Sequence, residues 1–189
     1  MKKIVLATQN KNKLKEMQAI FKDFDIKIIS TPEGFDPIED GETFFDNSLI
    51  KAKAASELMN LPALADDSGL QIEALGGEPG VYSARWAQTN DERIEKAITS
   101  LKDTENRNAQ FVCTMTLTNT NGELLHTTTG ICKGKILEER KGTNGFGYDP
   151  IFWIPELNKT MAELTMDEKN NISHRSIALK AMLEFLTKN

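Results

Sequence analysis

The chain has 189 residues, of which 39% are hydrophobic and 27% charged, and its formal net charge is −5. This length suits one domain, or two tightly joined lobes, around a hydrophobic core. No apolar run approaches the roughly 20 residues that span a membrane. The N-terminal apolar stretch is too short for a signal peptide, so we expect a cytoplasmic protein with no membrane partner. The negative charge disfavours general nucleic-acid binding, but an anionic small substrate remains possible if lysines and a divalent cation converge on it.

The N-terminal third of the chain predicts alternating strands and helices. Residues 4–7 form a short apolar run, and apolar residues then recur at spacings of three and four from Leu14, so a strand, a polar loop and an amphipathic helix are expected. Residues 26–29 predict a second strand, and the acidic, proline-containing residues 31–42 predict a loop. Thr43, followed by Asp46, has the pattern of a capping box and predicts a helix that runs to about Met59.

The rest of the chain predicts further short elements and one long hairpin. They are a short buried strand at 62–65, capped helices after Thr89 and Thr165, hairpin strands at 111–118 and 124–137 around Asn121-Gly122, a buried strand at 151–154, and a terminal helix capped by Ser173. A hairpin in mid-chain implies antiparallel pairs beside parallel ones. We therefore expect an α/β fold with a mixed central sheet flanked by helices. Cys113 and Cys132 lack the spacing of a zinc site and are expected to be reduced packing residues.

The glycine-rich run over residues 142–150 is the most informative segment. Three glycines interleave with Phe146 and Tyr148, and Asp149 follows. Glycines allow a backbone to approach a ligand closely, an aromatic ring offers a flat face, and a carboxylate accepts hydrogen bonds. These are the features that a nucleobase site needs. The alternative is an ordinary glycine turn before a strand.

Two acidic segments are candidates for chemistry. Asp66 and Asp67 follow the predicted strand at 62–65, and ligands gather beyond the carboxyl ends of strands in α/β sheets. Neighbouring carboxylates can hold a hard cation, or one of them can deprotonate water. An Asp-rich turn is the alternative. Glu39 and Asp40 could add another oxygen ligand, although solvated loop acids are the simpler interpretation.

Three basic segments could bind phosphate or a base. Residues 8–13 lie between a strand and a helix, where backbone N–H groups bind phosphate well, although no Walker motif is present. On the Ala-rich helix, Lys51 and Lys53 cannot both face inward because positions two apart do not share a face. The last group, Lys169 and the run 173–175 of Ser, His and Arg, surrounds the start of the terminal helix. A solvated surface feature is the alternative for each group, and the simpler interpretation of the first two taken alone.

Taken in series, these segments resemble one family. They are Thr8-Gln9-Asn10-Lys11-Asn12-Lys13, Thr43-Phe44 to Lys51-Ala52, Ala65-Asp66-Asp67-Ser68-Gly69-Leu70, residues 76–85 (GGEPGVYSAR), Gly145-Phe146-Gly147-Tyr148-Asp149-Pro150-Ile151-Phe152 and Ile172-Ser173-His174-Arg175. Their order and sequences resemble the inosine/xanthosine triphosphate pyrophosphatases, which act on non-standard purine nucleotides. The resemblance covers nearly the whole chain.

The resemblance implies a fold, a reaction and partners. It implies one domain over residues 1–189, elongated and made of two lobes with an active-site cleft between them. The implied reaction is hydrolysis of ITP, dITP and XTP to the nucleoside monophosphate and pyrophosphate with Mg²⁺, which would remove these nucleotides from the pool. The implied assembly is a homodimer.

The resemblance also implies roles for individual residues. Asp67 is the implied proton acceptor and, with Glu39, a metal ligand; whether Asp67 acts as a base or only as a ligand stays open. The implied substrate-binding residues are Thr8, Gln9, Asn10, Lys11, Asn12, Lys13, Lys51, Ser68, Phe146, Gly147, Tyr148, Asp149, Lys169, His174 and Arg175. No role follows for residues 76–85.

Two departures from the family pattern stand out. Gln9 replaces the Gly or Asn that such enzymes usually carry, which could alter the approach to phosphate. Asp46 replaces a glutamate and could weaken an outer metal contact. Two other functions remain open: a nucleotide-binding module without turnover, and a pyrophosphatase for pyrimidine or modified nucleotides.

Overall fold

A computed structural model describes residues 2–22 and 24–188 and contains an α/β fold. Its strands are β1 (Lys2–Leu6), β2 (Ile26–Ser30), β3 (Ala63–Ile72), β4 (Asn108–Thr118), β5 (Leu124–Ile136), β6 (Phe152–Ile154) and β7 (Lys159–Thr160). Its longer helices are α1 (Lys11–Phe21), α2 (Phe44–Met59), α3 (Asn90–Thr99), α4 (Met166–Ile172) and α5 (His174–Lys188).

The strands are hydrogen-bonded in the order β2-β1-β3-β4-β5-β6-β7. β1 pairs in parallel with both β2 and β3, whereas β5–β6 and β6–β7 are antiparallel pairs. The expected α/β class and mixed sheet are therefore confirmed. No helix in the described ranges is long and apolar enough to cross a membrane.

The chain divides into two compact units. The first consists of Met1–Asp67, Cys113–Gly130 and His174–Asn189, and the second of Ser68–Val112 and Ile131–Ser173. Side chains of α1, α5 and the first unit's strands form the main core of that unit, and a smaller alanine cluster packs α2 against β1 and β3. The second unit has its own core, which includes Ile72, Ile94, Phe111, Tyr148 and Phe152.

The helix starts follow their local sequence signals. Thr43, Thr89 and Thr165 each form a capping box with the acidic residue three positions later, as predicted. Each box supplies partners for backbone N–H groups that the first turn of a helix cannot satisfy itself. Asp46 therefore has a local role, since its Oδ2 accepts hydrogen bonds from the amide and hydroxyl of Thr43.

The structure corrects two predicted strand boundaries. β3 continues to Ile72, so Asp66 and Asp67 lie within a strand and not after its end. The strand continues because residues 76–83 supply partners for its later amides: Ile72 N donates to Glu78 O, and Leu70 N to the Ser83 hydroxyl. The strand predicted at 151–154 begins one residue later, because Asp149–Ile151 forms a single 3-10 turn.

Candidate active site

Asp66 and Asp67 occupy neighbouring positions of β3, where successive side chains point to opposite faces. Asp66 is almost fully buried and Asp67 nearly so. Each carboxylate has its own set of partners in the first unit. Buried carboxylates need such partners, since an unpaired ion in a protein interior is very costly.

Asp66 belongs to a buried ionic cluster. Its Oδ2 lies 2.9 Å from Lys13 Nζ and 3.5 Å from Arg175 Nε. Arg175 Nη1 also donates to Oε2 of Glu16, which is buried on α1. Burial alone would raise the pKa of Asp66, but Lys13, Arg175 and Lys51 outweigh it and hold that pKa well below its usual range. A carboxylate with a lowered pKa is a weak proton acceptor, so Asp66 is less suited than an ordinary aspartate to act as a general base.

Asp67 has fewer cationic contacts. Asn47 Nδ2 donates to its Oδ2 at 3.2 Å, and Lys51 Nζ lies 3.6 Å from its Oδ1. Burial raises the pKa of Asp67; Lys51 and Lys13 oppose this, while Glu39 adds to it. The net result is a pKa above that of an ordinary aspartate. A carboxylate with a raised pKa is a better proton acceptor, which suits a general base.

Lys51 joins Asp67 to Glu39. Lys51 is buried and Lys53 is exposed. This agrees with the helical spacing, which allows at most one of the two to face inward. Lys51 Nζ donates to Oε2 of Glu39 at 2.6 Å. Burial would lower the pKa of Lys51, but the carboxylates of Asp67, Asp66 and Glu39 raise it overall. Lys51 is therefore a permanent positive charge between two carboxylates.

This donor set fits a magnesium ion that is also bound by substrate. Glu39 and Asp67 direct oxygens at one positive charge, the Lys51 ammonium. Within the described residues, no group of three or more His, Cys, Asp or Glu could hold a metal. Mg²⁺ commonly needs only one or two carboxylates when phosphates and waters complete its shell. The pair is thus adequate for a shared ion but not for an ion held by protein alone.

The segment at residues 8–13 turns into α1 with a side-chain cap. The Asn10 side chain accepts from the amides of Asn12 and Lys13. Gln9 Nε2 donates to Thr31 Oγ1 and to Pro32 O, so this departure from the family pattern holds the chain that follows β2. Lys13, the last residue of this segment, joins the Asp66 cluster through its ion pair with Asp66. Thr8 is half-buried, whereas Lys11 and Asn12 are exposed.

The second unit assembles three of the predicted residues in one cluster. Lys169 Nζ donates to Asp149 Oδ2 at 2.6 Å and lies 4.9 Å from the centre of the Phe146 ring. The same Asp149 oxygen accepts from Phe146 N at 2.9 Å. A Cβ on Gly145 would lie 2.0 Å from it, and Gly145 has φ +76°, so only glycine fits. Asp149 is buried and fixes the loop, while the Phe146 ring stays half-buried.

Tyr148 forms a hydrogen bond to the segment of residues 76–85, for which the sequence predicted no role. Its hydroxyl donates to Ser83 O at 2.9 Å, and burial raises its pKa to about 12. The Ser83 hydroxyl accepts from Leu70 N and donates to Gly80 O. Residues 76–85 thus cover the edge of β3 and anchor the glycine loop. The neighbouring Tyr82 is 60% exposed.

Four predicted residues remain: two at the start of α5, one directly after Asp67 and one in the glycine-rich run. His174 and Arg175 are both buried in the first turn of α5. A Cβ on Gly130 would lie 2.1 Å from His174 O, so β5 passes very close to this turn. Ser68 follows Asp67 in β3 and is half-buried, and Gly147 has φ +63°.

Sequence reasoning missed three residues. Asn47 contacts Asp67, Glu16 pairs with Arg175, and Ser83 holds Tyr148. Asn47 lies four positions before Lys51 on an Ala-rich helix, and residues at that spacing share a helix face, so a polar pair there was a usable signal. Glu16 had no local signal, and Ser83 lies in the segment 76–85, whose role the sequence left open, because their partners are 159 and 65 residues away.

A model of the Ham1 family matches residues 4–185 of the chain. This chain belongs to the Ham1 family. Among curated relatives, a dITP/XTP pyrophosphatase of Staphylococcus epidermidis is 49% identical over 98% of this chain and 97% of its own. One from Synechocystis is 41% identical over 95% of this chain and 93% of its own. The resemblance found in the sequence motifs is confirmed.

Solved Ham1 structures share the fold. A HAM1 protein from Coxiella burnetii is 44% identical, with a TM-score of 0.91 over 100% of both chains. The Staphylococcus aureus Ham1 protein is 41% identical, with a TM-score of 0.89 over 99% of both chains. The described architecture is therefore that of the Ham1 family.

Proposed function

We propose that this Ham1 protein hydrolyses dITP, ITP and XTP to the nucleoside monophosphate and pyrophosphate. The observation that carries the proposal is the environment of Asp67: a buried carboxylate with a raised pKa, beside Lys51 and Glu39. A site that only stored an anion would not place two carboxylates beside its lysine. Relatives that carry the name dITP/XTP pyrophosphatase support the same reaction.

In this proposal Asp67 accepts the proton of the water that attacks between the α- and β-phosphates. Its oxygens are held by Asn47 and Lys51, which keeps them oriented for that transfer. Lys13 and Lys51 neutralise the triphosphate, since preorganised cations stabilise charge that develops in the transition state. Asp66 supports Lys13 by the 2.9 Å ion pair and takes no proton itself.

Glu39 and Asp67 are the proposed magnesium ligands. A bound Mg²⁺ would supply electrostatic stabilisation of the phosphate oxygens. Because Lys51 contacts both carboxylates, we propose that its ammonium moves toward the triphosphate when substrate binds. If Glu39 and Asp67 bind Mg²⁺ together with the substrate, turnover should require Mg²⁺, and excess chelator should abolish it.

Recognition of the base is proposed for Phe146, His174 and Arg175, as the resemblance to the family implies. Phe146 is half-buried and offers a ring face, and stacking of an aromatic ring on a base stabilises binding by roughly 1–3 kcal/mol. Asp149 accepts from the Phe146 backbone amide, and Lys169 lies against the Phe146 ring. The proposed donors to the 6-oxo group that hypoxanthine and xanthine share are the backbone N–H groups after Ser173 together with Arg175, whose guanidinium also pairs with Glu16 and Asp66. An adenine amino group would leave such donors unpaired, which can discriminate by about 10⁴-fold.

We also propose that the protein is a cytoplasmic homodimer, as its resemblance to the family implies. Sedimentation equilibrium of the purified protein would measure this directly. A mass near twice 21.1 kDa agrees with the proposal, and a mass that stays at the monomer value contradicts it.

The reaction is tested by pyrophosphate release from a panel of nucleotides with Mg²⁺ and with EDTA. We expect release from ITP, dITP and XTP, little from ATP, and none with EDTA. Preference for dTTP or UTP would identify a pyrimidine pyrophosphatase. Tight nucleotide binding without pyrophosphate release would identify a binding module, and either result would overturn the proposal.

A further inference from the structure

Asn47 has a side chain that is fully buried in the first turn of α2. A buried amide without partners costs about 1–3 kcal/mol for each unsatisfied group. Other buried positions of α2 hold Phe44, Ala52 and Ala55, so an apolar residue could be buried here without the cost of desolvating an amide. The position therefore calls for a reason beyond packing.

Two hydrogen bonds account for this side chain. Oδ1 accepts from Gly41 N at 2.9 Å, and Nδ2 donates to Asp67 Oδ2 at 3.2 Å. The backbone N–H can only donate and the carboxylate can only accept, so the orientation of the amide is determined. Asn47 thus connects the loop of residues 31–42 to the middle of β3.

The connection to that loop is tight. A Cβ on Gly41 would lie 2.5 Å from Asp46 Cβ and 2.8 Å from Asn47 Oδ1. Only glycine lets the loop approach α2 this closely. Glu39 lies two residues before Gly41, and its carboxylate meets Lys51. The placement of Glu39 therefore depends on the hydrogen bond by which Asn47 holds Gly41 against α2.

We propose that Asn47 is a positioning residue for the reaction, a role that rests on the proposed function. It holds Oδ2 of Asp67, so that Oδ1 stays directed at Lys51. At the same time it holds the loop that carries Glu39. One amide thus sets the separation of the two carboxylates that share a cation.

The test compares Asn47→Asp, Gly41→Ala and the control Ser48→Ala. Asn47→Asp keeps an acceptor for Gly41 N but turns a carboxylate toward Asp67. Gly41→Ala leaves Asn47 in place and displaces the loop. Ser48 is as buried as Asn47 and bonds to Phe45 O and Thr116, without contact to Asp67. The control therefore loses buried hydrogen bonds of the same helix and nothing else.

We expect kcat for ITP to fall about 10- to 100-fold in Asn47→Asp and Gly41→Ala, as for residues that orient metal ligands. KM should change less than about threefold, since neither residue is proposed to contact nucleotide. Ser48→Ala should keep the wild-type kcat. With a non-hydrolysable ITP analogue bound, the further rise in Tm that Mg²⁺ causes should shrink in the first two variants and persist in the third.

A wild-type kcat in Asn47→Asp, or an equal loss in Ser48→Ala, would overturn the role of Asn47. If Asn47→Asp does not fold, Gly41→Ala against Ser48→Ala decides in the same way. Failure of the proposed function is distinguishable, because wild-type protein would then release no pyrophosphate from ITP. An active wild type with unaffected variants refutes this inference alone.

Discussion

Asp66 and Asp67 are consecutive residues of β3, yet the protein shifts their pKa values in opposite directions. Lys13 and Arg175 overcome the burial of Asp66 and lower its pKa, whereas burial dominates at Asp67 and raises its pKa. Because neighbouring strand positions face opposite sides, two adjacent acids can meet such different surroundings. Asp66 is the structural acid of the pair, and Asp67 is the one suited to accept a proton.

The first prediction separates these two roles. Asp67→Asn should lower kcat for ITP by about 10²-fold or more, because the general base is lost. Asp66→Asn should instead destabilise the fold by about 3–5 kcal/mol, because it leaves buried cations uncompensated. Turnover assays and urea unfolding of both variants measure this. Near-normal turnover of Asp67→Asn would refute the assignment.

The second prediction concerns the buried pair of Glu16 and Arg175. Glu16→Gln should decrease the free energy of unfolding by about 3 kcal/mol, the lower end of the loss expected when a buried pair is broken. The loss is at the lower end because Asp66 still faces the Arg175 guanidinium. The control is Glu184→Gln, which breaks an exposed pair with Lys188. An exposed pair contributes less than about 1 kcal/mol. Equal decreases in the free energy of unfolding in both variants would show that the buried pair stabilises the fold no more than an exposed pair does.

Much of the fold followed from local sequence signals. The capping boxes at Thr43, Thr89 and Thr165 fixed three helix starts correctly, because a cap depends on residues only three positions apart. The end of β3 was predicted wrongly for the opposite reason. The strand continues beyond the two aspartates because residues 76–83 accept hydrogen bonds from its later amides. No local sequence pattern indicates those partners.

The candidate site was predictable in its members but not in their contacts. Sequence motifs pointed to Asp67, Glu39, Lys51 and Phe146, and the structure brings the first three together in the first unit. Asp149 was expected to offer an acceptor to a base. In the structure Asp149 is buried and accepts hydrogen bonds from Phe146 N and Lys169 Nζ. The bond to Lys169, 20 residues away, depends on tertiary packing, and no local pattern indicates it.

The third prediction tests the ring of Phe146. Phe146→Ala should raise KM for ITP about tenfold, in line with a loss of roughly 1–3 kcal/mol of stacking, with a smaller effect on kcat. Tyr82→Ala is the control, since it removes an exposed aromatic ring of the same unit. Steady-state kinetics of both variants measure this. An unchanged KM in Phe146→Ala would count against a stacking role.

The fourth prediction concerns the ionisation of Tyr148. Its folded pKa of about 12 exceeds the unfolded value of about 10. The folded state thus holds the proton more tightly, so this contribution to stability is complete below about pH 10 and is lost as pH rises through about 12.

The chain has two tyrosines, so Tyr82→Phe leaves Tyr148 as the sole phenol. Ultraviolet absorbance of its phenolate should then show a midpoint near pH 12, with circular dichroism to verify that the protein is still folded. A midpoint near pH 10 in folded protein would mean that the hydroxyl is accessible and not held by Ser83.

The most direct test of the central claim is the identity of the products formed from ITP. Phosphorus NMR of a reaction with Mg²⁺ should show IMP and pyrophosphate appearing in equal amounts, with no IDP and no inorganic phosphate. The same reaction with Asp67→Asn should show unreacted ITP over the same period. IDP with inorganic phosphate would mean cleavage at the γ-phosphate and would contradict the proposed reaction.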